Sequence, residues 1–196
     1  QYHCEAVLST VFGAVGHTSR QLPQDKVIAV PLQFSMLDLL TLGLLICIAH
    51  AQSVPCQVDP NVDAWKSVTE PENGSYLLRM TTSLQAKNCL YVTVPTGKRK
   101  SQQYHSGYKN GSRWWNDTGI VTGIGNIIRS LDYTMTITEV TVLYSDYKSC
   151  RVTRTKDCDV ELWTHSKAKT EELKCCQKIF NQEKKKEAKH LQKNCR

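Results

Sequence analysis

Beyond residue 51 the chain has no long apolar run, no Cys-x-x-Cys pair and only three histidines, His105, His165 and His190. The first absence leaves no second segment able to span a bilayer, which takes about 20 apolar residues. The others argue against a structural metal. Cys175 and Cys176 are adjacent rather than spaced as ligands, and no histidine stands at ligand spacing from a cysteine. Three scattered histidines supply no nucleophile, base and orienting group by spacing, so no enzyme is expected. Gly123-x-Gly125 lacks the third glycine and the strand–helix setting of a nucleotide fingerprint. No cofactor and no nucleic-acid partner are expected. Acidic residues are in the minority, 18 against 25 Lys and Arg, for a net charge of +7 over 196 residues.

One apolar run does occur. Met36–Ala51 reads MLDLLTLGLLICIAHA, and its apolar part, Leu39 to Ala49, is too short to span a bilayer. It ends in Ala49-His50-Ala51, a small-x-small cleavage pattern. The segment 36–51 reads as a secretory signal peptide, with Asp38 standing where a positive charge is usual; the alternative is a buried core helix. Residues 1–35 contain no Met and no sustained periodicity. They are expected to be upstream sequence or an unstructured leader rather than a domain. Residues 52–196 then form one domain with a core of its own, secreted and extracellular. Three N-x-S/T sequons, at Asn73, Asn110 and Asn116, lie in turn-like composition and agree with an exported glycoprotein.

Seven cysteines follow Ala51. Export places them in an oxidising compartment, where disulfides form. An odd number leaves one thiol free or intermolecular, and spacing alone does not choose the pairing.

Pro60–Val68 reads as a short helical turn with Asp63 near its start. Strands follow at Tyr76–Thr82 and Cys89–Val94. The polar stretch Thr96–Ser112 has room for one irregular hairpin. Tyr133–Tyr144 (YTMTITEVTVLY) is the clearest strand signal, rich in β-branched and aromatic residues. Ser149–Thr155 and Val160–Thr164 follow as short strands. Glu171–Lys193 has apolar residues near helical spacing, acids early and lysines late, as an amphipathic helix would. Many short strands and one terminal helix predict a mainly β fold, an antiparallel barrel with the helix packed outside.

Several short stretches fall in a telling order: Asp63-Ala64-Trp65-Lys66-Ser67-Val68, Ser145-Asp146-Tyr147-Lys148-Ser149-Cys150, Val160-Glu161-Leu162-Trp163, Cys175-Cys176, and a cysteine almost at the C-terminus. In them the chain resembles the tick salivary lipocalins of the histamine-binding family, over the whole of 52–196. The resemblance implies an eight-stranded antiparallel barrel, with a short N-terminal and a C-terminal helix, that sequesters host inflammatory mediators and so serves immune evasion at the bite. By position it implies bridges Cys56–Cys175, Cys89–Cys195 and Cys150–Cys176. Cys158 is then left over. A monomer is expected, with a covalent dimer through Cys158 as the alternative.

Given those bridges, strand parity orients the walls. A Cys150 bonded to the outer helix points outward with Val152, so Arg151 and Thr153 point inward. A Cys89 pointing outward turns Leu90, Val92 and Val94 inward. If Val160 and Leu162 lie under the helix, Glu161 and Trp163 face the cavity. Tyr144 is a further candidate, its orientation open. Trp65 reads as a plug at the barrel end.

The family's amine-binding motif pairs a Cys-Asp-aliphatic with a later Glu-Leu-Trp or Glu-Leu-Tyr. Glu161-Leu162-Trp163 matches; Cys150-Arg151-Val152 puts Arg151 where the acid belongs. Two ligands follow from the same cavity. Histamine, serotonin or another biogenic amine would use Glu161, with Trp163 adding cation–π attraction. A fatty acid or eicosanoid carboxylate would use Arg151. A buried Arg151–Glu161 ion pair that binds nothing is a third outcome. In a separate class, Lys184–Lys186, Lys189 and Lys193 would contact a protein or polyanion, or simply form a solvated helix face.

Overall fold

The computed structural model describes residues 56–71, 73–97, 100–191 and 195, all within one compact unit. The readings of 1–35 as a leader and 36–51 as a signal peptide lie outside the described residues. So does Lys193.

Eight strands run antiparallel: β1 (Ser75–Thr81), β2 (Asn88–Thr93), β3 (Ser101–Asn110), β4 (Arg113–Ile124), β5 (Ile127–Asp132), β6 (Ile137–Ser145), β7 (Cys150–Thr155) and β8 (Val160–His165). Each pairs with the next, and β1 pairs with both β2 and β8. The sheet thereby closes on itself, leaving no open edge among these eight. A two-residue strand β9 (Lys189–His190) adds to β1 outside that ring.

Strand β3 lies in the polar stretch Thr96–Ser112, where one irregular hairpin was expected, and β4 and β5 follow it over residues for which no strand was expected. Strand β4 opens with four consecutive exposed residues, Arg113 to Asn116, and later exposes Ile120 and Ile124, which blurs the alternation that marks a strand. The strand expected from Tyr133 begins only at Ile137. The Asp132 carboxylate accepts bonds from Thr134 Oγ1 at 2.7 Å and Thr136 N at 2.9 Å, and Met135 takes a positive φ of 62°. A side chain that bonds the backbone ahead of it makes a turn, and this one consumes the first four residues.

Helix α1 (Ala64–Thr69) is capped by Asp63, whose carboxylate accepts from Lys66 N at 3.0 Å. Its Ala64 N–H donates to the Gly125 carbonyl in the β4–β5 turn at 2.8 Å. Val62, Ala64 and Val68 pack with Val121, Ile128 and Val142 inside the barrel. The helix therefore plugs that region, while Trp65 is only half-buried beside it.

The C-terminal helix is shorter than its sequence pattern. A 3-10 turn (Thr170–Leu173) leads into α2 (Lys174–Glu183), and the chain then extends. Leu191 is buried with Tyr76, Leu78, Val94 and Trp163, and Cys195 is bridged to Cys89. Helix cannot carry the backbone to both points, so it ends at Glu183 and resumes as β9. The lysines consequently do not share a helix face. Lys186 Nζ contacts Asp159 at 3.4 Å, and Lys189 Nζ donates to the Leu84 carbonyl at 2.8 Å.

Two cores result. The outer one packs Leu173, Cys176, Ile179 and Phe180 of α2 and its leading turn over Cys150, Val152, Val160 and Leu162. The inner residues of the same two strands face the cavity.

Candidate functional site

The bridges fix which face is which. Cys56–Cys175, Cys89–Cys195 and Cys150–Cys176 are all formed. These are the pairs implied by the resemblance. Adjacent Cys175 and Cys176 leave α2 in different directions, one to the N-terminal segment and one to β7. Cys158 is also disulfide-bonded and is not a free thiol. The thiol expected to be left over at Cys158 is corrected accordingly. Cys158 sits at a turn with φ 60°, eight positions from Cys150 and not paired with it.

Cys150 is delivered by the turn before it. Asp146 Oδ1 accepts from the backbone N–H of Lys148, Ser149 and Cys150, at 3.0, 2.7 and 2.9 Å. Tyr147 projects back to α1, where its hydroxyl accepts from Asp63 N at 3.0 Å and Lys66 lies over its ring. The stretch Ser145–Cys150 thus ties the plug helix, the barrel and the outer helix together.

With Cys150 and Val152 outward, Arg151 and Thr153 turn inward. Arg151 lies opposite Trp163, and Thr153 opposite Glu161. All four line a cavity of about 220 Å³. The remaining wall is largely apolar, from Leu90 and Val92 of β2, Val121 of β4, Ile128 of β5 and Val140 of β6, with Val68 of α1 and the rings of Tyr76 and Tyr104, and carries the hydroxyls of Thr93, Ser130, Thr138 and Thr155. Val94 is buried beside Tyr76 and Leu78. Tyr144 is elsewhere: it packs in the outer core under α2. The register of β6 explains this. Val142 lies opposite inward Thr153, but after a bulge Tyr144 lies opposite outward Val152. One extra residue reverses the parity, so the candidate ligand contact at Tyr144 is withdrawn.

Glu161 is buried in this apolar setting. Its Oε2 accepts from Thr153 Oγ1 at 3.0 Å and Trp163 Nε1 at 2.9 Å. Loss of solvent raises its pKa above the usual carboxylate value, against those two hydrogen bonds and the nearby Arg151 charge, which lower it.

Arg151 is buried as well. Its guanidinium carbon lies 4.1 Å from the centre of the Tyr76 ring and 5.6 Å from that of Trp163. Burial lowers its pKa, opposed by Tyr76 and Glu161. Its Nη1 donates to the Ser67 carbonyl at 3.3 Å, an oxygen that also accepts from the Tyr76 hydroxyl at 3.3 Å. Ser67 is free to do this because residue 71, four positions on, is a proline without an N–H to offer. The Nε of Arg151 has no partner, and the guanidinium forms no direct ion pair with Glu161. Tyr76, buried beside it, is pushed up to about 12, mainly by desolvation.

A carboxylate and a guanidinium thus share one apolar cavity with an indole between them. Sequence reasoning missed Tyr76 and Ser67 as parts of the site. Tyr76 looked like any aromatic in a strand, and Ser67 contributes only its backbone.

The family described as "Tick histamine binding protein" matches residues 56–195. The chain belongs to that family. Moubatin from Ornithodoros moubata is 29% identical over 139 residues, covering 69% of this chain and 80% of moubatin. Among solved structures, the AM182 serotonin complex is 32% identical with a TM-score of 0.64, covering 72% of this chain and 97% of that one. The fold is accordingly a lipocalin-like barrel of a family of ligand-binding proteins. The three sequon asparagines, Asn73, Asn110 and Asn116, are all exposed on it.

Proposed function

We propose that the protein sequesters a small aromatic amine, histamine, serotonin or a related biogenic amine, inside the barrel. Glu161 carries the reading. It is a carboxylate in a largely apolar cavity, held by Thr153 and Trp163 with aromatic rings around it. An ammonium entering a dry site needs a counter-charge and gains from aromatic faces. Serotonin is the molecule named in the AM182 complex. The cavity, about 220 Å³, is below the ~300–1,000 Å³ common for drug-sized ligands, which favours a compact ring with a short side chain. Binding, rather than catalysis, is the proposed role.

Export through 36–51, glycosylation at Asn73, Asn110 and Asn116, and action as a monomer against a host mediator in tick saliva complete the proposal. A second reading rests on the unpartnered Nε of buried Arg151: a fatty acid or eicosanoid carboxylate anchored there. The cavity volume disfavours a long chain. The polyanion reading loses its helix face, because two of the lysines are engaged by the protein itself.

Calorimetry with histamine, serotonin and arachidonate decides, using the unmutated protein and Glu161→Gln. Amine binding that Glu161→Gln weakens supports the proposal. Arachidonate binding without amine binding transfers the anchor to Arg151. Silence for all three overturns the cavity as the functional site.

A further inference from the structure

The cavity contains two buried charges of opposite sign that are not bonded to each other. Glu161 is held by Thr153 and Trp163. Arg151 stacks over Tyr76 and reaches Ser67, with its Nε unpartnered. The two belong to facing strands, one pairing step apart. Diagonal neighbours of that kind are separated by roughly 7–8 Å, within reach of one small ligand.

The charge balance then selects among ligands. With both groups ionised the empty cavity is neutral. A monocation that neutralises Glu161 leaves Arg151 without an opposite charge. A monocarboxylate on Arg151 leaves Glu161 in the same state. An unmatched buried charge is costly. A ligand bearing both an ammonium and a carboxylate leaves neither group unmatched.

We propose that the cavity is matched to a small zwitterion, an aromatic α-amino acid, with its ammonium on Glu161, its carboxylate on Arg151 and its ring against the apolar wall of Leu90, Val92 and Val121. This rests on Glu161 being the ammonium acceptor and adds a second anchor to it. The guanidinium edge formed by Nε and Nη2 is the side-on fork that holds a carboxylate through two parallel bonds. Its Nη1 stays on Ser67, so the fork is fixed before ligand arrives. Trp163, with its indole nitrogen on Glu161 and its ring beside Arg151, holds the two anchors in one geometry.

Three ligands of one skeleton isolate the charges: phenylalanine, phenethylamine and 3-phenylpropionate, titrated by calorimetry with serotonin as a reference. Phenylalanine is expected to bind about tenfold tighter than either singly charged analogue. In Arg151→Met its advantage over phenethylamine disappears. Phenethylamine binding as tightly as phenylalanine overturns the zwitterion and leaves the amine reading standing. So does serotonin binding when none of the three phenyl ligands binds. Tightest binding by 3-phenylpropionate overturns both readings, as does silence from all four ligands. If Arg151→Met does not fold by circular dichroism, the ranking on the unmutated protein decides alone.

Discussion

The indole nitrogen of Trp163 donates to the Glu161 carboxylate at 2.9 Å, although the two residues lie two apart on one strand. Both point into the cavity, so the ring can brace the acid from beside it. Trp163→Phe keeps an aromatic face and removes the donor. A hydrogen bond to a charged group is worth about 1.5–3 kcal/mol, part of which is present in empty and filled protein alike. Serotonin affinity is therefore expected to fall roughly five- to tenfold, read by calorimetry. An unchanged affinity would mean that the bond does not hold Glu161 for its ligand.

The pH dependence follows from the same acid. Burial raises the Glu161 pKa above that of an unfolded chain, so the folded protein holds this proton more tightly. The stability linked to it is full below the unfolded value and is lost as pH rises through the folded one. Glu161→Gln removes that titration. The melting temperature of the unmutated protein relative to Glu161→Gln should be most favourable in acid and decline toward neutrality. Serotonin affinity should move the other way, rising over the same interval as the carboxylate ionises, because its primary ammonium stays charged throughout. A stability difference that grew with pH would contradict the burial argument.

Inward Arg151 and Thr153 were legible once the resemblance implied a bridge at Cys150, which sets the parity of β7, and inward Glu161 and Trp163 followed from placing Val160 and Leu162 under the helix. The barrel was legible from strand count and the terminal helix. Tyr144 was not, since a bulge has no marker in the alternating pattern of β6. The end of α2 was not, because the apolar spacing that continues to Leu191 serves an inner core rather than a helix face. β4 was obscured by exposed apolar residues such as Ile120 and Ile124, and by Gly119 and Gly123.

The placement of Tyr144 is testable by its indifference to ligand. It packs under α2, away from the cavity. Tyr144→Phe keeps the packed ring and should leave serotonin affinity within about twofold, since surroundings of similar volume are tolerated. A larger loss in calorimetry would bring the residue back into the cavity.

The disulfides should differ in what they contribute. Cys150–Cys176 closes a separation of 26 residues, and Cys56–Cys175 one of 119. On the chain-entropy account, replacing each pair by alanines costs about 3.5 and about 5 kcal/mol respectively. Urea unfolding of the two double variants checks the order. A greater loss at Cys150–Cys176 would show that its place in the outer core outweighs loop length.

Gly123 is where the plug helix meets the barrel. A Cβ there would lie 2.4 Å from Trp65 N and 2.5 Å from Trp65 Cα. Those are backbone atoms of α1, which cannot swing aside as a side-chain tip would. Gly123→Ala must push α1 away from β4, loosening Val68 over the cavity and the Ser67 carbonyl that holds Arg151. Overpacking of this kind costs about 1–3 kcal/mol, so the melting temperature should drop. Ligand dissociation should also accelerate, because the same helix closes over the site. Stopped-flow release of serotonin separates the two effects. A lower melting temperature with an unchanged release rate would mean that ligand leaves by a route that α1 does not guard.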